Sequence, residues 1–289
     1  MTSAVAERAQ PLPEQLRSYV TRFAVSATDG TPGEPYTYVP DPAVQLVVRV
    51  AAGGRPGALV IGPRTRAAYH ASERPASCAR FSLAPGAARP LLGVAAADLA
   101  GRTVALAELP GRVARRLVDG GRDLAPEEWA DHLVRVLPEH PSRAEAERAG
   151  LLRAGVAALS VRPGLPPARV ADVARELAVS ERQLRNLFTD GVGVSPKHFA
   201  RIDRVRHVLA HAPTSPWGEL AAASGYYDQS HMTADFRTLM GVPPRSYFTG
   251  RLPSTTPCRG DGDDVVQVLD LVADVPEDGL RVGAVLGVH

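Results

Sequence analysis

Two short stretches of the sequence carry polar side chains at helical spacing that could read the edges of DNA bases. Arginine can donate two hydrogen bonds to guanine, and asparagine or glutamine can pair with adenine. The outward-facing residues are Glu181, Arg182, Arg185 and Asn186 in the first stretch and Gln229, Ser230, Thr233 and Ala234 in the second. Whether they can do this depends on the elements that hold them.

The first stretch lies on the second helix of a predicted helix-turn-helix, RVADVARELAVSERQLRNLF (residues 169–188). Apolar side chains recur at helical spacing on both sides of a short turn: Val170, Val173, Ala174, Leu177, Leu184, Leu187 and Phe188. Val179 fills the turn, and Ser180 with Gln183 has the spacing of a capping box. Such a helix pair leaves the outer face of its second helix free to enter a DNA major groove.

The pattern is repeated in WGELAAASGYYDQSHMTADF (residues 217–236). Gly225 marks the turn, Tyr226 fills it, and Asp228 is the expected N-cap of the second helix. The inward-facing residues are Leu220, Ala221, Met232 and Phe236. Two copies in tandem are a much stronger signal than one, because many helical pairs mimic a single copy.

One longer helix is predicted to join the two copies, in SPKHFARIDRVRHVLAHAP (residues 195–213). Ser195 is its expected N-cap, Pro196 occupies the first helical position, and Pro213 ends it. Its apolar stripe consists of Phe199, Ile202, Val205 and Leu209.

This region resembles the DNA-binding domain of the AraC family of bacterial transcription regulators. The resemblance is carried by SERQLRNLF, GVSPKHFARIDRVRHVL, LAAASGYYDQSHMTADF and GVPPRSYF. It implies that the two recognition helices enter successive major grooves on one face of the DNA. The base contacts that it implies are Arg182, Arg185, Asn186, Gln229, Ser230 and Thr233, and the candidate phosphate contacts on the connecting helix are Arg201, Arg204 and Arg206.

The second copy departs from the family pattern at three positions. Ala234 and Phe248 stand where an arginine is usual, and Asp235 adds a negative charge beside Ala234. We therefore expect the first copy to dominate sequence specificity.

Length and charge indicate how the chain is divided. Its 289 residues fit two domains better than one. Residues 151–252 contain 13 Arg and Lys against 8 Asp and Glu, so the basic block coincides with the helix-turn-helix pair, where phosphate contact needs it. Residues 253–289 contain 2 against 7.

Short runs rich in Val, Tyr and Leu follow a flexible lead-in expected at residues 1–16, and they predict a small β-barrel or sandwich. Residues 17–110 resemble the cupin-like sensor domains that precede AraC-type DNA-binding domains, most clearly in ARFSLAPGAARPLLGVAAADLAGRTVALAEL (residues 79–109). His70 is the one histidine of this region, too few for a metal site, so no metal or cofactor is expected. Arg64 and Arg66 could meet an anionic effector, but a solvated strand edge explains them equally well.

The remaining segments flank the DNA-binding domain expected at residues 149–252. Residues 111–148 are predicted to form a helical linker or dimerisation region, in which Trp129 is expected to be a core residue. The tail at residues 253–289 is open to three interpretations: an added hairpin, a disordered appendage or an acidic screen over the basic face. Cys78 and Cys258 are far apart and fit free thiols.

The predicted architecture is α+β: a barrel-like or cupin-like N-terminal domain, a helical linker, an all-α tandem helix-turn-helix domain and a short acidic tail with β character. We expect a cytoplasmic transcription regulator that binds double-stranded DNA and is controlled by a small-molecule effector at the N-terminal domain. Further expected partners are a second copy of the chain and, for an activator, RNA polymerase. No catalytic motif is found, so no enzyme is expected. The cytoplasmic location is expected because no signal peptide or membrane span is found. The alternative is a small-molecule binding module whose helix-turn-helix pair serves protein–protein interaction.

Overall fold

A computed structural model describes residues 8–27, 36–50, 56–70, 77–137 and 142–254. The strands are β1 (Arg8–Ala9), β2 (Val20–Ala27), β3 (Tyr36–Tyr38), β4 (Gln45–Val50), β5 (Pro56–Ile61), β6 (Ala68–His70), β7 (Ser77–Leu83) and β8 (Thr103–Ala105). The helices are α1 (Ala88–Leu92), α2 (Ala96–Leu99), α3 (Arg112–Gly121), α4 (Trp129–Val136), α5 (Arg143–Leu159), α6 (Val170–Glu176), α7 (Glu181–Gly191), α8 (Pro196–His211), α9 (Trp217–Ala223), α10 (Gln229–Met240) and α11 (Pro244–Phe248). The predicted α+β architecture is confirmed.

The strands of the described residues form two sheets and no closed barrel. One is an antiparallel sheet in the order β1-β2-β7-β4-β5-β8, and the other pairs β3 with β6. Side chains alternate across the large sheet. One face packs on the helices through residues such as Leu46 and Phe81, and the other packs on Tyr38 of the small sheet through Val47 and Ile61. Because β4 is covered on both faces, its sequence is a nearly continuous apolar run.

Two segments that were predicted to lie outside the N-terminal domain belong to it. Within the expected flexible lead-in, Arg8 and Ala9 pair with β2, and Leu16 is fully buried. The prediction was wrong there because a polar stretch can still pair along a sheet edge. Helices α3 and α4 pack into the same core through Leu117 and Trp129, which confirms the core position of Trp129. Dimerisation through this region stays a prediction.

The C-terminal domain is entirely helical within residues 142–254. The pairs α6–α7 and α9–α10 are the two predicted helix-turn-helix copies, and α8 joins them. Phe199 near the start of α8 packs into the core of the first copy, whereas Ile202 and Val205 pack into the core of the second. A single helix therefore supports both copies.

The tail beyond residue 254, with Cys258 and its three interpretations, lies outside the described residues. Within the described ranges, no helix is long and apolar enough to cross a bilayer.

Candidate nucleic-acid interface

The first recognition helix, α7, is held rigidly from its first residue. The Gln183 amide donates to Ser180 Oγ at 3.1 Å, and the Ser180 amide donates to Gln183 Oε1 at 2.8 Å, which confirms the capping box. Its inner face is buried through Leu184, Leu187 and Phe188. Arg182, Arg185 and Asn186 are exposed on the outer face, and they have no hydrogen-bond or ion-pair partner among the described residues. Their donors are therefore available to a ligand.

The second recognition helix, α10, is also anchored at its start and along its inner face. The His231 amide donates to Asp228 Oδ1 at 2.7 Å, and Met232 and Phe236 are fully buried. Gln229 and Ser230 are exposed, and Thr233 is half-buried. An open groove of about 850 Å³ runs along this outer face. Its walls are formed by Arg66, Gln229, Ser230, Thr233, Ala234, Arg237, Thr238 and Gly241.

The turns of the two copies have one backbone shape but different residues. Ala178 (φ 53°) and Gly225 (φ 73°) both lie in the left-handed region. Directly after each, an amide closes the turn: Val179 N donates to Ala174 O and Tyr226 N to Ala221 O, both at 2.9 Å. Since a residue with a Cβ is disfavoured in this conformation, the first turn is strained relative to the second.

Asp235 does not face the outside of the second copy. It is only 8% exposed, and its carboxylate accepts from Arg201 at 2.8 Å and from Arg204 at 3.3 Å. The Arg204 guanidinium also lies over the ring of Tyr226, 4.9 Å from its centroid. The expectation that Asp235 adds a negative charge to the DNA-facing surface was wrong, because Asp235 is buried and its charge is paired with two arginines of α8.

These contacts also define where the connecting-helix arginines lie. Arg201 and Arg204 are held by Asp235, and Arg206 donates to Pro40 O at 3.3 Å and lies 3.6 Å from Asp41. All three are partly buried. The ion pairs favour a structural role for them, and phosphate contact by these residues stays a prediction.

A first junction attaches the end of α7 to the N-terminal domain. Asp190 accepts from Arg89 of α1 and, at 3.1 Å, from Arg148 of α5. Burial raises the pKa of the Asp190 carboxyl, but the hydrogen bonds and charges of the two arginines outweigh burial, and the net pKa lies below its ordinary value. Beside this pair, the Gly86 amide donates to Gly191 O at 2.9 Å.

A second junction attaches the end of α10 to the small sheet. The Ala67 amide donates to Leu239 O at 2.8 Å, and the Tyr69 hydroxyl donates to Met240 O at 2.5 Å. Tyr69 packs inside the apolar core of the second copy. Burial, opposed by a hydrogen bond with Thr37, raises the pKa of Tyr247 in the same core to about 12. The N-terminal domain thus contacts both recognition helices at their C-terminal ends.

The two arginines that precede β6 differ in their surroundings. Arg64 is 8% exposed, and its guanidinium lies 4.6 Å from the centroid of the Tyr38 ring. All three of its guanidinium nitrogens are buried without a hydrogen-bond partner. The solvated-edge interpretation is therefore wrong for Arg64, whereas Arg66 is exposed. His70 belongs to β6, and the described residues contain no cluster of three metal-ligating side chains.

Sequence reasoning missed the residues that position the recognition helices. Asp190, Arg89 and Tyr69 act across more than 100 positions of sequence, so no local pattern could pair them. Asp235 offered one usable signal, since it lies three residues after Met232 and four before Leu239, on the buried face of α10.

The match to one protein family agrees with the helix-turn-helix geometry. Residues 173–250 match the model of a family described as a helix-turn-helix domain, and residues 7–105 match a domain of unknown function (DUF6597). No curated protein sequence matches the chain.

Solved structures with similarity to the chain include three bacterial proteins. A transcriptional regulator with an AraC-type DNA-binding domain from Chromobacterium violaceum is 25% identical over 35% of this chain and 91% of its own, with a TM-score of 0.30. The C-terminal domain of AraT, a response regulator from Geobacillus stearothermophilus, is 20% identical over 44% and 98%, with a TM-score of 0.30. ToxT from Vibrio cholerae is 14% identical over 80% and 97%, with a TM-score of 0.36.

The matched segment and the two capped recognition helices define a tandem helix-turn-helix protein. The C-terminal domain is a helix-turn-helix domain.

Proposed function

We propose that this protein is a DNA-binding transcription regulator of the AraC type. It reads a specific DNA sequence, chiefly through α7, and a small molecule bound to the N-terminal domain controls it. The observation that carries the first part is the outer face of α7. Its three polar side chains are exposed and unpartnered on a helix that is fixed at both ends, so binding DNA need not break internal contacts.

The outer face of α10 supports a weaker second contact. Gln229, Ser230 and Thr233 offer hydrogen bonds but no charge, and Ala234 offers an apolar surface that suits a thymine methyl group. Arginine contacts to guanine contribute about 1–3 kcal/mol of discrimination each, so α7 is expected to dominate specificity.

The test is an Arg185→Ala variant on a duplex selected from random sequence by the wild-type protein. We expect it to lose about 1–3 kcal/mol on the selected duplex and to relax base preference at the contacted position. Arg116→Ala is the matched control, because it removes an exposed arginine from α3 of the N-terminal domain. Equal losses on selected and scrambled duplexes would assign Arg185 to phosphate contact.

Effector control is supported by the two junctions. Anything that moves the N-terminal domain must shift the end of α7 through Asp190, the end of α10 through Tyr69, or both. A ligand can shift the N-terminal domain between two positions relative to the recognition helices only to the extent that it binds more tightly in one position than in the other.

Arg64 is the candidate contact for such a ligand. A buried guanidinium without an acceptor is unfavourable, and an anionic group would supply the missing acceptor. The test is a thermal-shift screen with a panel of small carboxylates against the wild type and Arg64→Met. A ligand at a hundred times its Kd should stabilise the wild type by about 2.7 kcal/mol and leave the variant unchanged. A carboxylate that stabilises both proteins equally would exclude Arg64.

The interaction-module alternative loses part of its support. Asp235 is buried between two arginines, and Phe248 packs against Trp217, Phe236 and Tyr247. Two of the three departures from the family pattern therefore serve internal packing, whereas Ala234 is exposed. Dimerisation and contact with RNA polymerase stay predictions.

A further inference from the structure

We propose that the N-terminal domain is itself part of the DNA-binding surface, and that Arg66 contacts the phosphate backbone beside the second recognition helix. The inference rests on the proposed DNA-binding function. It adds a residue from outside the helix-turn-helix domain to the interface.

The position of Arg66 is fixed relative to α10. The next residue, Ala67, donates its amide to Leu239 O at 2.8 Å, and Tyr69 donates to Met240 O at 2.5 Å. Both acceptors lie in the last turn of α10. The segment that carries Arg66 is therefore attached to the recognition helix by two hydrogen bonds within three residues of Arg66.

The groove beside α10 has the shape that this contact requires. On the helix, its walls consist of residues at positions 229, 230, 233, 234, 237, 238 and 241, which is the i, i+4 pattern of one continuous outer face. Arg66 forms a further wall beside that face. A helix that enters a major groove has a phosphate strand on each side. A cationic side chain that lies beside the helix then contacts phosphate groups rather than base edges.

The charges of the groove suit an anion. Arg66 and Arg237 supply two cations, Gln229 and the hydroxyl side chains supply donors, and none of the lining residues is acidic. The carboxylate on this helix, Asp235, is buried and paired with Arg201 and Arg204. Arg66 has no hydrogen-bond or ion-pair partner within the described ranges.

The positive field of Arg66 also reaches the start of α8. Burial lowers the pKa of His198, and the charges of Arg201 and Arg66 lower it further, against an opposing effect of Asp235. Arg66 therefore lies close enough to the start of α8 for its charge to act on His198.

The test is the salt dependence of duplex binding by the full chain, measured by fluorescence anisotropy for wild type, Arg66→Ala, Arg66→Lys and the control Arg116→Ala. One phosphate contact contributes about 0.9 to the slope of log affinity against log salt on B-DNA. Between 50 and 200 mM salt, Arg66→Ala should therefore lose about 3.5-fold less affinity than the wild type. Arg66→Lys should keep the wild-type slope, since a phosphate accepts any nearby cation, and Arg116→Ala should also keep it.

An unchanged slope for Arg66→Ala would overturn the proposal. Tighter binding by that variant would also overturn it, and would show that Arg66 obstructs DNA. If the wild type binds no duplex at low salt, the DNA-binding function itself fails, which is distinct from failure of the Arg66 contact.

Discussion

Replacing Asp235 with Asn should destabilise the protein substantially, although the side chains have the same size. The carboxylate is 11% exposed and accepts from two guanidinium groups that are 27% and 17% exposed. An Asn oxygen can still accept from Arg201, but its NH2 group would then face the Arg204 donor. The variant thus loses one charge-assisted hydrogen bond and sets two donors against each other.

The expected cost follows from the burial of the pair. Breaking a fully buried ion pair costs about 3–5 kcal/mol, and a hydrogen bond to a charged group contributes about 1.5–3 kcal/mol. Because both arginines are partly exposed and can bind water in the variant, we expect the free energy of unfolding to fall by about 2–3 kcal/mol. For a protein of this size the Tm should fall by roughly 4–10 °C.

The assay is urea unfolding monitored by far-UV circular dichroism. The urea midpoints are compared between variants whose unfolding free energy has the same dependence on urea concentration. Asp172→Asn is the matched control, since Asp172 pairs with Arg175 at 3.0 Å on the exposed surface of α6. An exposed pair contributes about 0.2–1 kcal/mol, so this variant should shift the midpoint little. A loss for Asp235→Asn no larger than that of Asp172→Asn would refute the buried role of Asp235.

Three further predictions test the turns, the second junction and the histidines. Ala178→Gly should raise the unfolding free energy by about 0.5–1 kcal/mol, and Gly225→Ala should lower it by a similar amount, both checked by urea midpoints. A loss of stability in Ala178→Gly, or a gain in Gly225→Ala, would contradict the shared left-handed turn. Tyr69→Phe should cost about 1 kcal/mol by thermal unfolding, because it leaves Met240 O without its donor; an unchanged Tm would remove this contact from the junction. Burial lowers the pKa of His198 and His207 below 6.5, so their neutral rings favour the fold above that pH, and stability should fall as pH drops from 7.5 to 5.5. The decline in the urea midpoint should be smaller in His207→Gln, and a midpoint independent of pH would contradict the prediction.

The helical half of the protein was predictable because its determinants are local. The capping box of Ser180 with Gln183, the N-caps Ser195 and Asp228, and the buried stripes all lie within one or two helical turns of the residues that they position. The exposed faces of α7 and α10 follow from the same periodicity.

The N-terminal half was less predictable because its determinants are distant in sequence. A strand pattern fixes alternation but not which strands become neighbours, so a barrel and a pair of facing sheets could not be separated. The contacts of Asp190 with Arg89 and of Tyr69 with Met240 have no sequence signal, since each joins residues of different domains. The same is true of Arg66, whose place beside α10 depends on the docking of the small sheet.

The most direct test of sequence-specific DNA binding is an anisotropy titration of the full chain with the duplex upstream of its own gene and with a scrambled duplex, at two salt concentrations. We expect tighter binding to the native duplex, with affinity that falls as salt rises. Failure to bind either duplex at low salt would contradict it.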